Sequence, residues 1–142
     1  MTLSLHAAQS IIAGALDAAR QRAAKPLAVV VLDAGGHPIA FAREDGASLF
    51  RFDIARAKAM GAVGMGDSTR VLAERAKGNP VFFQSVTAVV GGDVAFSPGG
   101  VLVRHEGAIV GAVGISGDTG DCDEECALAG LIAAGFNTES NA

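Results

Sequence analysis

"FSPGGVLVRHEGAIVGAVGISGDTGDCDEECALAG", from Phe96 to Gly130, is the stretch on which the fold turns. Within it GVLVRH (100–105) and AIVGAVGIS (108–116) are apolar and β-branched, and Glu106-Gly107 between them has the length of a tight hairpin turn. An acidic cluster then opens an Ala-rich segment, which predicts a helix over about 121–135. Asp121 and Glu124 have the spacing of a capping box, with Asp121 at the cap. Upstream, DVAF (93–96) reads as a short strand. NPVFFQSVTAVVGG (79–92) is ambiguous, because Pro80 can open a helix while Val89 and Val90 favour extension.

LAVVVLD (27–33) is almost wholly apolar, the pattern of a strand covered on both faces. AGGHP (34–38) supplies a turn and IAFAR (39–43) its hairpin partner. Residues 4–24 carry Leu5, Ala8, Ile12, Ala15, Leu16, Ala19 and Ala23 at three- and four-residue steps, with Ser4 placed to cap and Pro26 ending the pattern. Helical character returns at 50–65 and 68–77, split by Gly66-Asp67-Ser68. The order is helix, hairpin, helices, meander, helix. Strands joined by short turns and separated by helices predict an α+β domain, an antiparallel sheet with helices packed upon it. No repeat or linker divides the chain, so residues 1–142 read as one domain with NTESNA (137–142) as a frayed tail.

Half of the 142 residues are apolar, Phe is the sole aromatic, and charged residues make up 18%, below the usual ~25%. So little charge on a small domain implies apolar surface hidden against copies of itself, a homo-oligomer. The net charge of −4 and the lack of a basic stripe argue against nucleic acid. No apolar run nears the ~20 residues of a membrane span, and no signal peptide is visible. Two cysteines cannot build a disulfide framework, which makes a reducing cytoplasm the expected compartment.

The candidate residues each have a structural and a functional reading. Gly111, Gly114 and Gly117, three apart, mark close backbone approach or a bulge. Asp121, Asp123, Glu124 and Glu125 favour a helix N-terminus, but four acids in five positions also repel, which a cation, a partner's Arg or a protonated substrate would relieve. Cys122 and Cys126 share a helix face without the four ligands of a structural zinc site, so no metal is assigned. In AREDGAS (42–48), Arg43 can clamp a carboxylate or pair with Asp45. On the next helix Ile54, Ala57, Gly61 and Met65 mark the inward face, with Lys58 at its edge, either snorkelling or desolvated as a base or anchor. His6, His37 and His105 stand apart in sequence.

These residues carry a resemblance. VVVLDAGGHPIAFAREDGA (29–47), Lys58 within RAKA, PGGVLV (98–103), GAIVGAVGISG (107–117) and DEECALAG (123–130) are similar to the GlcG/HbpS-like family, the heme-degrading domain also found at the C-terminus of PduO-type adenosyltransferases. The resemblance covers about residues 4–135. It implies a profilin-like three-layer α/β/α domain, assembly into dimers or larger rings, and a site near subunit contacts around the Gly-Gly strand and neighbouring helix. Several members bind heme or corrinoid-type ligands, and some are linked to heme breakdown. Gly99, Gly100, Asp123, Glu124, Asp33, Asp45 and Lys58 match the family pattern. Val101 departs from it, since heme-binding relatives can carry a hydroxyl residue there. Iron would then take His105, His37, Met60 or Met65, or no protein ligand.

Two functions follow as expectations. One is a module binding heme or another anionic, partly aromatic ligand, with Arg43 or Lys58 anchoring carboxylates and Gly99-Gly100 approaching the ligand. The alternative is a cofactor-independent lyase, isomerase or hydratase on a small carboxylated metabolite. There Lys58 would be base or anchor, Arg43 clamp, and Asp123 or Glu124 general acid/base. Asp45 and His105 complete the candidate set.

Overall fold

The computed structural model describes residues 1–141. The elements run α1 (Leu5–Gln21), β1 (Ala28–Asp33), β2 (Pro38–Arg43), α2 (Arg51–Met65), α3 (Thr69–Gly78), α4 (Pro80–Val89), β3 (Gly100–His105), β4 (Ala108–Ser116) and α5 (Gly120–Ala133), then a 3-10 turn at Glu139–Asn141. The strands form one antiparallel sheet in the order β2-β1-β4-β3. Helices cover both faces, which makes the α+β domain a three-layer α/β/α stack.

Side-chain alternation in the strands explains the layering. Val29, Val31, Val101, Val103, Val113 and Ile115 point toward α1 and α5 and join the larger core cluster. Ala28, Val30, Leu32, Leu102 and Ala112 point the other way and pack with Ala55, Ala59 and Ala62 of α2. β1 is covered on both faces, as its apolar run predicts. Ser4 caps α1 by accepting from Ala7 N, and Glu106-Gly107 closes the β3–β4 hairpin with both residues at positive φ. No helix among the described residues is long and apolar enough to cross a membrane.

Several sequence expectations change. Within residues 79–92, Pro80–Val89 form helix α4, with Pro80 in the first turn overriding the β-preference of Val89. Asp93–Phe96 is irregular, not a strand. Its Ala95 N–H is spent on Ala57 O of α2 at 3.1 Å, and Phe96 packs edge-on to Phe83 at a centroid distance of 5.0 Å. The buried face of α2 is Ala55, Lys58, Ala59, Gly61 and Ala62, rotated from the expected Ile54, Ala57, Gly61 and Met65. The reason is the sheet: a β-carbon at Gly114 would collide with the Ala55 carbonyl. The glycine therefore draws in a helix face of small residues and leaves Ile54 and Met65 at its margins.

The expected fray of residues 137–142 gives way to a docked segment as far as Asn141; Ala142 lies outside the described residues. The buried Asn141 side chain accepts from Leu102 N at 2.8 Å and donates to Leu102 O at 3.1 Å, imitating a strand partner on the outer edge of β3.

Candidate functional site

Four strand termini meet at one end of the sheet. Ala28 opens β1 and lies in register between Arg43, which ends β2, and Ser116, which ends β4. Gly100 opens β3 beside Gly114. Asp45, the α5 N-terminus and the α2 residues Arg51 and Lys58 gather at the same end. His105 ends β3 at the other end of the sheet, five residue steps or about 17 Å from Gly100. His37 lies in the β1–β2 turn, also at that far end, where a β-carbon on neighbouring Gly36 would lie 3.0 Å from Met60 Sδ. The structure thus places Arg43, Asp45, Lys58, Gly99, Gly100, Asp123 and Glu124 at one end of the sheet, with Arg43 and Asp45 lining clefts of their own, and leaves His105 at the other. Val101 points into the core.

Lys58 is the centre of this end. It lies on the sheet-facing side of α2, 4% exposed. A β-carbon on Gly99 would stand 3.1 Å from Lys58 Cδ and 2.8 Å from Lys58 Nζ, and Gly99 has φ +129°. One on Gly100 would meet the Lys58 backbone. The paired glycines form a slot, and Lys58 fills it. Its ammonium donates to Ile115 O at 2.9 Å and to Asp123 Oδ2 at 3.2 Å. Asp123, 1% exposed, also accepts from Asp118 N at 3.0 Å through Oδ1. Burial pushes the Lys58 ammonium below the ordinary lysine range, with Asp123 pulling it back. Burial likewise raises the Asp123 carboxyl, with Lys58 opposing.

The acidic cluster is neutralised from within the chain. Thr119 caps α5 by accepting from Cys122 N at 3.2 Å, so Asp121 lies inside the helix and the expected Asp121–Glu124 capping box does not form. Glu124 accepts twice from Arg70 Nε, at 2.8 and 3.0 Å. Asp121 pairs with the same guanidinium, and Glu125 with Arg22. Every acid of the cluster is paired within the chain, Asp121 and Glu124 sharing Arg70, and these pairs relieve the repulsion read in the sequence. Arg70, on α3, escaped the sequence reading because 54 residues separate it from Glu124; a cationic residue flanking a Ser-capped helix carries no distance signal.

Arg43 and Asp45 border open clefts beside this buried pair. Arg20, Pro26, Arg43, Glu44 and Asp45 line one of about 430 Å³. Phe41, Ala42, Arg43, Leu49, Phe52 and Asp53 line another of about 620 Å³. Phe41 and Phe52 meet edge to face at 4.8 Å. Glu44, to which the sequence assigns no role, secures the rim. Its Oε1 accepts from Leu27 N at 2.9 Å and from Arg20 Nη2 at 3.1 Å.

A family model described as "Haem degrading protein HbpS-like" matches residues 3–132. The chain belongs to the HbpS-like family. Among solved structures, a PduOC:heme complex is 26% identical with a TM-score of 0.88, over 97% of this chain and 99% of that one. HbpS itself is 32% identical, TM-score 0.83, over 95% and 92%. The Klebsiella pneumoniae protein ORFY is 25% identical, TM-score 0.87, over 94% and 91%. Among proteins of curated function, none matches the sequence.

Proposed function

We propose that this HbpS-like protein binds a flat, apolar ligand bearing carboxylates, of the porphyrin class, in the groove between β2 and α2. The observation that carries the reading is the pairing of exposed aromatic surface with a cation. Phe41 is 59% exposed and Leu49 71%, Phe52 stands edge-on to Phe41, and Arg43 borders both this groove and the polar cleft beside it. A volume of about 620 Å³ falls within the roughly 300–1,000 Å³ of small-molecule sites. Phe41, Phe52 and Leu49 would take the ring face, and the Arg43 guanidinium a carboxylate. The PduOC:heme relative supports heme as the first ligand to try.

The lining residues fit the macrocycle better than its metal. None of them is His, Met or Cys, and Asp53 supplies carboxylate oxygen alone. Heme iron would add redox and ligand-exchange chemistry when bound, but this groove offers it no imidazole, thiolate or thioether. The reading therefore stops at binding and includes no degradation step. The enzymatic alternative would use Lys58, Asp123 and Glu124, whose hydrogen bonds are already made to Ile115, Asp118, Arg70 and one another. Nothing in that arrangement offers a free base to a substrate.

Absorbance and fluorescence titration with hemin and with iron-free protoporphyrin IX tests the proposal. Saturable binding of both, within a few-fold of each other, is expected. Absence of saturation for both overturns the porphyrin reading. Tight binding of hemin alone overturns the assignment to this groove and points to an iron ligand elsewhere.

A further inference from the structure

Most arginines of this chain donate a side-chain hydrogen bond within it: Arg20, Arg22, Arg51, Arg70, Arg75 and Arg104. Arg43 and Arg56 donate to no described residue. Arg56 is the odder of the two. It is half-buried on α2, and its Nε is buried without a hydrogen-bond partner among the described residues. A buried donor without an acceptor is a net cost to the fold, so packing alone does not account for a cation at this position.

Both arginines flank the groove between β2 and α2. Arg43 and Phe41 lie in register with Ala28 and Val30, whose side chains face α2. Phe52 meets Phe41 from the helix. Arg56 follows Phe52 by one turn on the same side of α2. Helical side chains lean toward the N-terminus, which for Arg56 is toward Phe52. β2 runs toward Ser116, whereas α2 starts beside Ser116 and runs away from it to Met60, next to Gly36. The Phe41–Phe52 pair therefore lies between the two arginines, roughly 12 Å apart at the backbone by the rises of strand and helix. Asp53, also on the lining, forms an ion pair with neither, which leaves two cations to one carboxylate.

We infer that Arg56 is the second carboxylate anchor of this groove, which makes the site selective for flat apolar ligands with two carboxylates over those with one. The inference rests on the proposed porphyrin groove and adds a residue that stands one turn behind its lining. A carboxylate on the Nε edge of the guanidinium, reached by rotation of the side chain, supplies the acceptor that Nε lacks and takes a second hydrogen bond from the adjoining Nη. Arg43 holds the other carboxylate, and the aromatic pair takes the apolar body between them.

Fluorescence titration of the full chain with protoporphyrin IX and with its monomethyl ester tests this, for wild type and Arg56→Met. Wild type is expected to bind the diacid about tenfold more tightly than the monoester, the worth of one charged hydrogen bond at a partly exposed rim. Arg56→Met is expected to weaken the diacid about tenfold and the monoester at most about twofold, since the single carboxylate still has Arg43. The unliganded variant is expected to melt no lower than wild type, because it loses a donor that bonds to nothing and keeps an apolar stem. Equal binding of diacid and monoester by wild type overturns the inference and leaves the groove standing. So does an Arg56→Met chain that weakens both ligands alike, or one that melts several degrees lower, which marks Arg56 as a structural residue. Wild type that binds neither ligand removes the groove itself, and this inference with it.

Discussion

Lys58 and Gly99 compete for one space: the ammonium lies 2.8 Å from the point where a Gly99 β-carbon would stand. The double glycine at the start of β3 is thus explained by the protein's own packing: Lys58 and the Ile115 carbonyl crowd Gly99, and the Lys58 backbone and Thr69 crowd Gly100. Any ligand reading of Gly99 and Gly100 has to pass through Lys58 first.

Gly99→Ala is expected to destabilise the fold by about 2–4 kcal/mol, combining left-handed backbone strain with overpacking against Lys58. Urea unfolding measures it. Shortening Lys58 in the Gly99→Ala background removes its share of the collision and leaves the contact with Ile115 O and the strain at φ +129°, so the two changes are expected to be non-additive. A Gly99→Ala chain as stable as wild type would mean the slot has room to spare.

The Lys58–Asp123 pair gives a sharper thermodynamic signature. Lys58→Met strands a buried carboxylate and is expected to cost about 3–5 kcal/mol, whereas Lys58→Met with Asp123→Leu recovers most of that loss. The pH dependence follows from the shifts. The folded Asp123 keeps its proton above the ordinary 3.8, so its contribution falls as pH rises from there through the raised folded value. The folded Lys58 gives up its proton below the ordinary 10.5, so its contribution rises with pH from the depressed value up to 10.5. Wild-type stability minus that of the double variant is expected to trace both slopes. A difference flat with pH would show that neither group is shifted.

The layered fold was legible because its signals are local: the apolar, β-branched runs in 100–116, the continuous apolar run of β1, the Glu106-Gly107 turn and the Ser4 cap. The site was legible only in composition. The acids of 121–125 stood out, but their partners Arg70, Arg22 and Lys58 lie 51 or more residues away and are matched to them by tertiary packing alone. The rotated face of α2 was hidden for a related reason. Periodicity favours the large Ile54 and Met65, while the sheet opposite has glycine at Gly100 and Gly114 and so selects alanines.

Asn141 shows the same limit at the other margin of the sheet. A polar terminal segment reads as fray, yet its amide holds both backbone groups of Leu102. Asn141→Ala is expected to cost about 1–3 kcal/mol through the unpaired Leu102 groups. Hydrogen exchange at the Leu102 amide should accelerate well before the rest of β3. Unchanged protection there would show that the docked tail does not guard this edge.

The two thiols are expected to react very differently. Burial pushes the Cys126 thiol up to about 12, leaving about one part in ten thousand as thiolate at pH 8. Cys122, one turn earlier, is half-buried. Ellman's reagent at pH 8 is expected to titrate one thiol in the folded protein and the second only after denaturation, with Cys122→Ser abolishing the first. Equal rates for both would mean that α5 opens readily at its N-terminal half.

Arg43 separates the groove from every other candidate. If a ligand carboxylate rests on its guanidinium, Arg43→Ala weakens hemin and protoporphyrin IX alike by about tenfold, or 1.4 kcal/mol, in keeping with a charged hydrogen bond at a partly exposed rim. Added salt should weaken wild-type binding and leave the variant less affected, since the screened attraction has been removed. Phe41→Ala should reduce affinity through lost ring contact, with no change in that salt dependence. His105→Ala, at the far end of β3, should leave both ligands bound as in wild type. The converse pattern, in which His105→Ala abolishes hemin binding while Arg43→Ala does nothing, would move the site to the opposite end of the sheet, where His105, His37 and Met60 stand.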